Sequence, residues 1–114
     1  MDYSISWRGS VLIGKLKGEV GYQEQVAMTN ALEEMTKSAP SGIVLDFRDV
    51  VYLASMGIGM LMKLAKDFRA RGISVRLAAP RPGVRMLLDM VRADTVIPID
   101  DSIDEAVARL PVAV

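Results

Sequence analysis

Apolar and polar positions divide the chain into alternating strands and helices. Residues 3–7 and 11–17 each alternate between apolar and polar side chains, as half-buried strands do, and Arg8-Gly9-Ser10 between them is a turn signal. They predict an N-terminal β-hairpin. A continuous apolar run at 43–45 indicates a buried parallel strand that ends at Asp46, before a short loop and a second apolar piece.

Four further segments show the apolar spacing of amphipathic helices. The predicted helices are residues 22–37, residues 56–70 ended by Gly72, a short helix after Pro80, and a last helix with a capping box of Ser102 and Glu105. The predicted inward positions, helix by helix, are Met28, Ala31, Leu32 and Met35; Ile58, Leu61, Met62, Ala65 and Phe68; Val84, Leu87, Leu88 and Val91; and Ile103, Ala106, Val107 and Leu110.

This order of elements predicts a single α/β domain over residues 1–114. Residues 74–78 and 96–99 supply two more strands, and Pro98 confines the last one to an edge of the sheet. We expect a mostly parallel or mixed sheet of about five strands with about four helices. Ligands and switches of such sheets lie beyond the carboxyl ends of the strands, where we place Asp46 and the loop at Ser55.

Composition excludes several functions. Fourteen basic residues balance fourteen acidic ones, so nothing favours direct nucleic-acid binding. The chain contains no histidine and no cysteine, which rules out a Ser-His-Asp triad and thiolate chemistry. We expect no catalytic residues, no metal and no cofactor. There is also no apolar run of membrane-spanning length, so we expect a cytoplasmic protein without membrane insertion.

Ser55 and the helix after it are the candidate functional features. A serine at this point is normally an N-cap, but a helix start also receives phosphate well. Met56 and Met60, with Leu64 beside them, fall away from the predicted core face of the helix. They form either an adaptable contact surface or a patch that another element covers. Asp46 is either an ordinary carboxylate or part of the same site.

The segment from strand three to the helix after it carries a family likeness. The order LDF, a short loop, an apolar pair and Ser-x-Gly-Ile-Gly resembles the STAS domain of bacterial anti-anti-sigma factors. Further matches are Gly18-Glu19, Arg71-Gly72 and residues 80–85. The closing segment 99–106 also fits, so the likeness covers nearly the whole chain.

This resemblance implies a partner switch that acts in transcription regulation. Family members bind an anti-sigma factor that is also a serine-protein kinase, and phosphorylation of a serine at this helix start ends binding. A PP2C-type phosphatase restores it. The acceptor maps onto Ser55, and the implied partner-binding residues are Asp46, Ala54, Ser55, Met56, Gly57, Met60 and Leu64.

Two departures from the family pattern keep a rival function open. The acidic residue that precedes the serine in relatives is Ala54 here, and another acidic position falls on Gly21. These changes favour a STAS scaffold without phosphorylation, or a small subunit of a signalling or transporter complex. An enzyme with Ser55 as nucleophile lacks a histidine base. The sequence leaves open whether the chain forms a homodimer.

Overall fold

Five strands and four α-helices alternate along the described part of the chain. The computed structural model describes residues 2–21, 25–38 and 40–110. The strands are β1 (Asp2–Arg8), β2 (Val11–Val20), β3 (Gly42–Leu53), β4 (Ser74–Ala78) and β5 (Ile99–Asp100). The helices are α1 (Gln25–Lys37), α2 (Ser55–Ala70), α3 (Pro82–Met90) and α4 (Ile103–Arg109), with a short 3-10 helix at Ala93–Thr95.

The strands form one mixed sheet in the order β1-β2-β3-β4-β5. β1 runs antiparallel to β2, whereas β2, β3, β4 and β5 are parallel to one another. The predicted α/β fold and its N-terminal hairpin are confirmed. Gly9 has a φ of +61° and is the first residue of the two-residue turn that joins β1 to β2. A glycine at this position is typical of a type II′ turn, whose twist matches that of the strands.

The sheet buries apolar side chains on both faces. The larger core, under α1, α2 and α3, contains Leu12, Leu45, Phe47, Ile58 and Leu88 among others. The smaller core lies under α4 and contains Val11, Ile13, Val44, Ala78, Ala106 and Leu110. Most predicted inward positions are therefore correct, and the predicted Ser102 cap accepts a hydrogen bond from the backbone N–H of Glu105.

The predicted end of strand three at Asp46 is wrong. β3 continues without a loop to Leu53 because β2 pairs with it as far as Val20. β3 is two residues longer than β2, and it accommodates one extra residue opposite Lys15–Lys17 and another opposite Gly18–Glu19. β4 pairs only with the first part of β3, up to Asp46. The last seven residues of β3 therefore extend beyond β4.

Other predicted positions need smaller corrections. Residues 96–98 are not a strand, because the 3-10 helix precedes them and β5 is limited to Ile99–Asp100. Leu87 of α3 and Val91, which follows the last residue of α3, are exposed, and this short helix buries only Val84 and Leu88. The predicted start of α1 at residue 22 and the side chains of Met28 and Leu32 lie outside the described residues.

In the part of the chain that the structure describes, none of the helices has the length and apolar character needed to span a membrane.

Candidate functional site

Ser55 is exposed and is the first residue of α2, not its N-cap. Ala54 occupies the N-cap with φ −81° and ψ 157°, and its methyl side chain accepts no hydrogen bond. The Ala54 backbone is held at both ends instead. Its N–H donates to the Val20 carbonyl at 2.9 Å, and its carbonyl accepts from the Ile58 N–H at 3.0 Å. The prediction that Ser55 caps this helix is therefore wrong, and its hydroxyl is not needed to hold the helix start.

The start of α2 favours negative charge. Ile58 is the first residue whose N–H can reach a carbonyl of the helix, so the N–H groups of Ser55, Met56 and Gly57 precede the intrahelical ladder. Together with the helix dipole they form the positive end of α2. A phosphate on Ser55 would lie beside these donors. Modification of this residue is therefore compatible with the helix.

Gly57 lets α2 begin close to the sheet. A Cβ atom at this position would lie 2.8 Å from the backbone oxygen of Val20 and 3.2 Å from Cδ1 of Leu53. Real side chains do not approach a backbone oxygen so closely, so only glycine fits here without movement. The same Val20 oxygen accepts the Ala54 N–H. The glycine therefore helps to fix where Ser55 is presented.

Met56, Met60 and Leu64 lie on the predicted side of α2. The buried residues of α2 are Gly57, Ile58, Leu61, Ala65 and Phe68, so the predicted helical phase is confirmed. Met56 is 46% exposed, whereas Met60 and Leu64 are half-buried and pack against the larger core.

Met60 and Leu64 line a groove between α1 and α2. The groove has a volume of about 200 Å³, and its other lining residues are Thr29, Lys63 and Asp67. α1 thus covers part of the methionine stripe. What remains is an apolar groove with one basic and one acidic residue at its margin, a shape that accepts an apolar side chain from a partner.

Sequence reasoning missed two exposed apolar residues next to this helix. Val51 and Tyr52, near the end of β3, are 54% and 53% exposed. They are exposed because β3 continues past β4 and keeps only β2 as a neighbour there. The apolar run at 50–53 was visible in the sequence, but the length of β4 was not. They precede Ser55 by four and three residues, and since their neighbours Val50 and Leu53 are buried in the larger core, Val51 and Tyr52 point away from that core.

Asp46 does not lie with Ser55. It follows Val44 by two residues and pairs with Ala78, and both of these belong to the core under α4. Asp46 therefore faces α4, while α2 covers the opposite face. Leu53 lies seven positions further along β3, which is roughly 23 Å along an extended strand.

The carboxylate of Asp46 is also buried and already hydrogen-bonded. Its side chain is 2% exposed, and it accepts hydrogen bonds from the Arg48 side chain at 3.0–3.3 Å and from the Arg48 backbone N–H at 3.0 Å. The placement of Asp46 beside the candidate site is corrected accordingly. Its contribution to partner binding stays a prediction, and it could act only through Arg48, whose side chain is 57% exposed.

The chemistry available at Ser55 is that of a passive hydroxyl. The chain has no histidine to serve as its base. Across residues 2–21, 25–38 and 40–110, no three acidic side chains come together in a way that could hold a metal ion. The Ser55 hydroxyl can receive a phosphoryl group from another protein, and the apolar surface around it can bind a partner protein.

The whole chain was compared with known families and solved structures. A model of the STAS domain matches residues 4–106. An anti-sigma factor antagonist from Mycobacterium paratuberculosis is 18% identical, with a TM-score of 0.88 over 96% of this chain and 92% of that one. The anti-sigma factor antagonist SpoIIAA in its unphosphorylated form is 18% identical, with a TM-score of 0.74 over 95% of both chains.

A sulfate transporter family protein from Wolinella succinogenes shares the same fold. It is 18% identical, with a TM-score of 0.75 over 89% of this chain and 84% of that one. At such identities the solved structures establish the fold, and the family match over residues 4–106 establishes kinship. The chain belongs to the STAS domain family.

Proposed function

We propose that this protein is a partner switch of the anti-sigma factor antagonist type. In its unmodified form it binds an anti-sigma factor that is also a serine kinase, and phosphorylation of Ser55 ends that binding. A PP2C-type phosphatase would return it to the binding form. The protein itself supplies the acceptor hydroxyl and a docking surface, and it performs no catalysis.

One observation carries this proposal: the exposed Ser55 hydroxyl stands at an uncapped helix start, directly beside an apolar surface. A kinase can reach the hydroxyl, and the helix start tolerates the resulting charge. Among structures of the same fold, SpoIIAA has also been solved in a phosphorylated form, with a TM-score of 0.63 to this chain. This supports the proposal by analogy.

The proposed docking surface consists of Ala54, Met56, Met60 and Leu64. A phosphate on Ser55 adds nearly two negative charges and a tightly held hydration shell at the rim of this surface. Docking an apolar partner would then require removing water from the phosphate. The switch thus works through desolvation and repulsion at the interface, without a change of fold.

Phosphorylation is tested with a serine kinase of the anti-sigma factor type. After incubation with the kinase and ATP, tandem mass spectrometry should find phosphate on Ser55. The Ser55→Ala variant should stay unmodified and folded, because this hydroxyl caps nothing. Phosphate found instead on Ser41, Ser74 or Ser102 would contradict the proposed acceptor.

The docking surface is tested with charged substitutions. Met56→Glu and Met60→Glu should each weaken binding of the anti-sigma factor by about 1–3 kcal/mol, the range for loss of a buried contact residue. Met86 on α3 is 63% exposed and provides the matched control, so Met86→Glu should leave the affinity unchanged. Calorimetry measures the affinities, and circular dichroism verifies the fold.

Two results would count against this surface. Equal losses for all three variants would indicate a non-specific effect of added negative charge. Unchanged affinity of folded Met56→Glu and Met60→Glu variants would place the interface elsewhere.

A second candidate function is a STAS scaffold without phosphorylation, in a signalling or transporter complex. Ala54 favours it, because relatives carry an acidic residue before the serine, and so does the match to a sulfate transporter family protein. The two candidates separate in one assay. If ATP and the kinase release the partner from the wild-type protein, the switch is supported, and constitutive binding supports the scaffold.

A further inference from the structure

The outer edge of β1 offers a long row of backbone groups for pairing. β1 is at one end of the strand order, and among the described residues only β2 pairs with it. Six of its seven residues are exposed, and Ile5 is half-buried. The strand contains no proline and no lysine, two of the residues with which proteins often protect an edge, and its charged residues, Asp2 and Arg8, stand only at its two ends.

The hairpin geometry determines which groups face outward. Arg8 and Val11 close the two-residue turn, and such a closing pair exchanges two hydrogen bonds. Even-numbered residues of β1 therefore bond to β2. The N–H and C=O groups of Tyr3, Ile5 and Trp7 point to the open edge.

We propose that this edge pairs with the β1 edge of a second copy, antiparallel, about a two-fold axis at Ile5. In this register Ile5 faces Ile5 of the other copy, and Tyr3 faces Trp7. Since these are the residues whose backbone groups point outward, six hydrogen bonds form across the axis. Shifting the register by two residues in either direction loses bonds.

The side chains are self-complementary in the same register. Asp2 of one copy lies opposite Arg8 of the other, and Ser4 lies opposite Ser6. These are the closer, non-hydrogen-bonded pairs of an antiparallel ladder, so the charges and hydroxyls come within reach. Tyr3 and Trp7, which are 37% and 45% exposed in the single chain, form an aromatic cross-strand pair twice.

Arg8 already has a partner on its own chain and can serve both. Its guanidinium bonds to Asp104 of α4, and both side chains are largely exposed. A guanidinium has five N–H donors, so one such bond leaves others for Asp2 of the second copy. Asp2, by contrast, has no ion-pair partner among the described residues.

One seven-residue strand pair is a small interface, so the dimer should be weak and dependent on concentration. It would present two Ser55 surfaces at once. This inference does not depend on the proposed function, since it uses no residue of the docking surface.

The register is tested by mixing two charge variants. Asp2→Lys and Arg8→Glu each place like charges opposite each other twice in a homodimer. Each should therefore weaken self-association by about fivefold to thirtyfold. Mixed together, the two variants restore both attractions, so heterodimers should form with an affinity close to that of the wild type. Sedimentation velocity and native mass spectrometry measure both effects, with circular dichroism as the control for folding.

Trp7 provides an independent signal because it is the single tryptophan. Its fluorescence should shift to the blue as the wild-type concentration rises, and in Asp2→Lys alone the shift should require an about fivefold to thirtyfold higher concentration. A wild type that remains monomeric up to high micromolar concentration would overturn the proposal. So would a dimer whose affinity neither charge variant changes, or a mixture that forms no heterodimer.

Discussion

Replacing Asp100 with alanine is expected to lower the free energy of unfolding by about 2–4 kcal/mol, as for a buried ion pair that loses one partner. Asp100 on β5 is 1% exposed. Its carboxylate accepts from Arg76 Nε at 2.6 Å and Nη2 at 3.1 Å, and also from Arg109 of α4. Because it joins β4, β5 and α4, its loss leaves two guanidinium groups without their acceptor.

Asp101 is the matched control, one residue further along. Its side chain is 84% exposed and lies 3.3 Å from Arg85. Such surface pairs contribute little, so Asp101→Ala should cost at most about 1 kcal/mol. Urea denaturation of both variants gives the comparison. Similar losses for the two would show that the Asp100 pairs contribute no more than exposed ones.

The Asp100 effect should also depend on pH. Burial raises the pKa of Asp100, but the hydrogen bonds from Arg76 and Arg109 outweigh it and bring the pKa below its ordinary value. A pKa that is lower in the folded than in the unfolded state stabilises the folded protein at pH values above the unfolded-state pKa. This stabilisation is lost as the pH falls through the folded-state pKa. The difference between wild type and Asp100→Ala should therefore shrink below roughly pH 4.

Gly57→Ala is expected to destabilise the protein by about 1–3 kcal/mol, as overpacking does. In an ordinary helix this substitution stabilises by about 0.5–1 kcal/mol, because alanine is the better helix former. Here the added methyl group would meet the backbone oxygen of Val20 at 2.8 Å. A backbone carbonyl cannot rotate aside, so the start of α2 has to move.

Gly59, two residues further along α2, is the matched control. A Cβ atom there meets nothing within 4 Å, so Gly59→Ala should stabilise by about 0.5–1 kcal/mol. Thermal and urea unfolding of the two variants should thus shift in opposite directions. A stabilised Gly57→Ala variant would show that α2 does not need this close approach. If Gly57→Ala is destabilised as expected, phosphorylation of Ser55 should slow as well.

The alternation and helical spacing of apolar residues were enough to predict most of the fold. The run from Ile43 to Leu45 indicated a buried strand, and the core face of α2 followed from Ile58, Leu61 and Phe68. These assignments depend on local periodicity, which the sequence displays directly. The capping box of Ser102 and Glu105 is equally local, and its serine caps α4 as predicted.

The misplaced residues depend on distant partners. A polar residue after an apolar run normally ends a strand, but Asp46 stays inside β3 because Arg48 neutralises it. Asp100 and Asp101 look alike in sequence, and what distinguishes them is the pairing of Asp100 with Arg76, 24 residues away, and with Arg109 of α4. At Ser55 a shift of one residue decides between cap and first helical position, and the anchoring of Ala54 to β2 settles it.

The helices cover the two faces of the sheet unequally, and this affects where local opening of the fold should begin. On one face, within the described part of the chain, α4 alone covers the small core, and a helix of seven residues is unstable by itself. Local opening should therefore begin with α4, which would uncover Val11, Ile13 and Val44. The groove beside Met60 lies on the other face, so opening of α4 leaves it formed. Local opening is thus expected on the sheet face opposite the proposed docking surface.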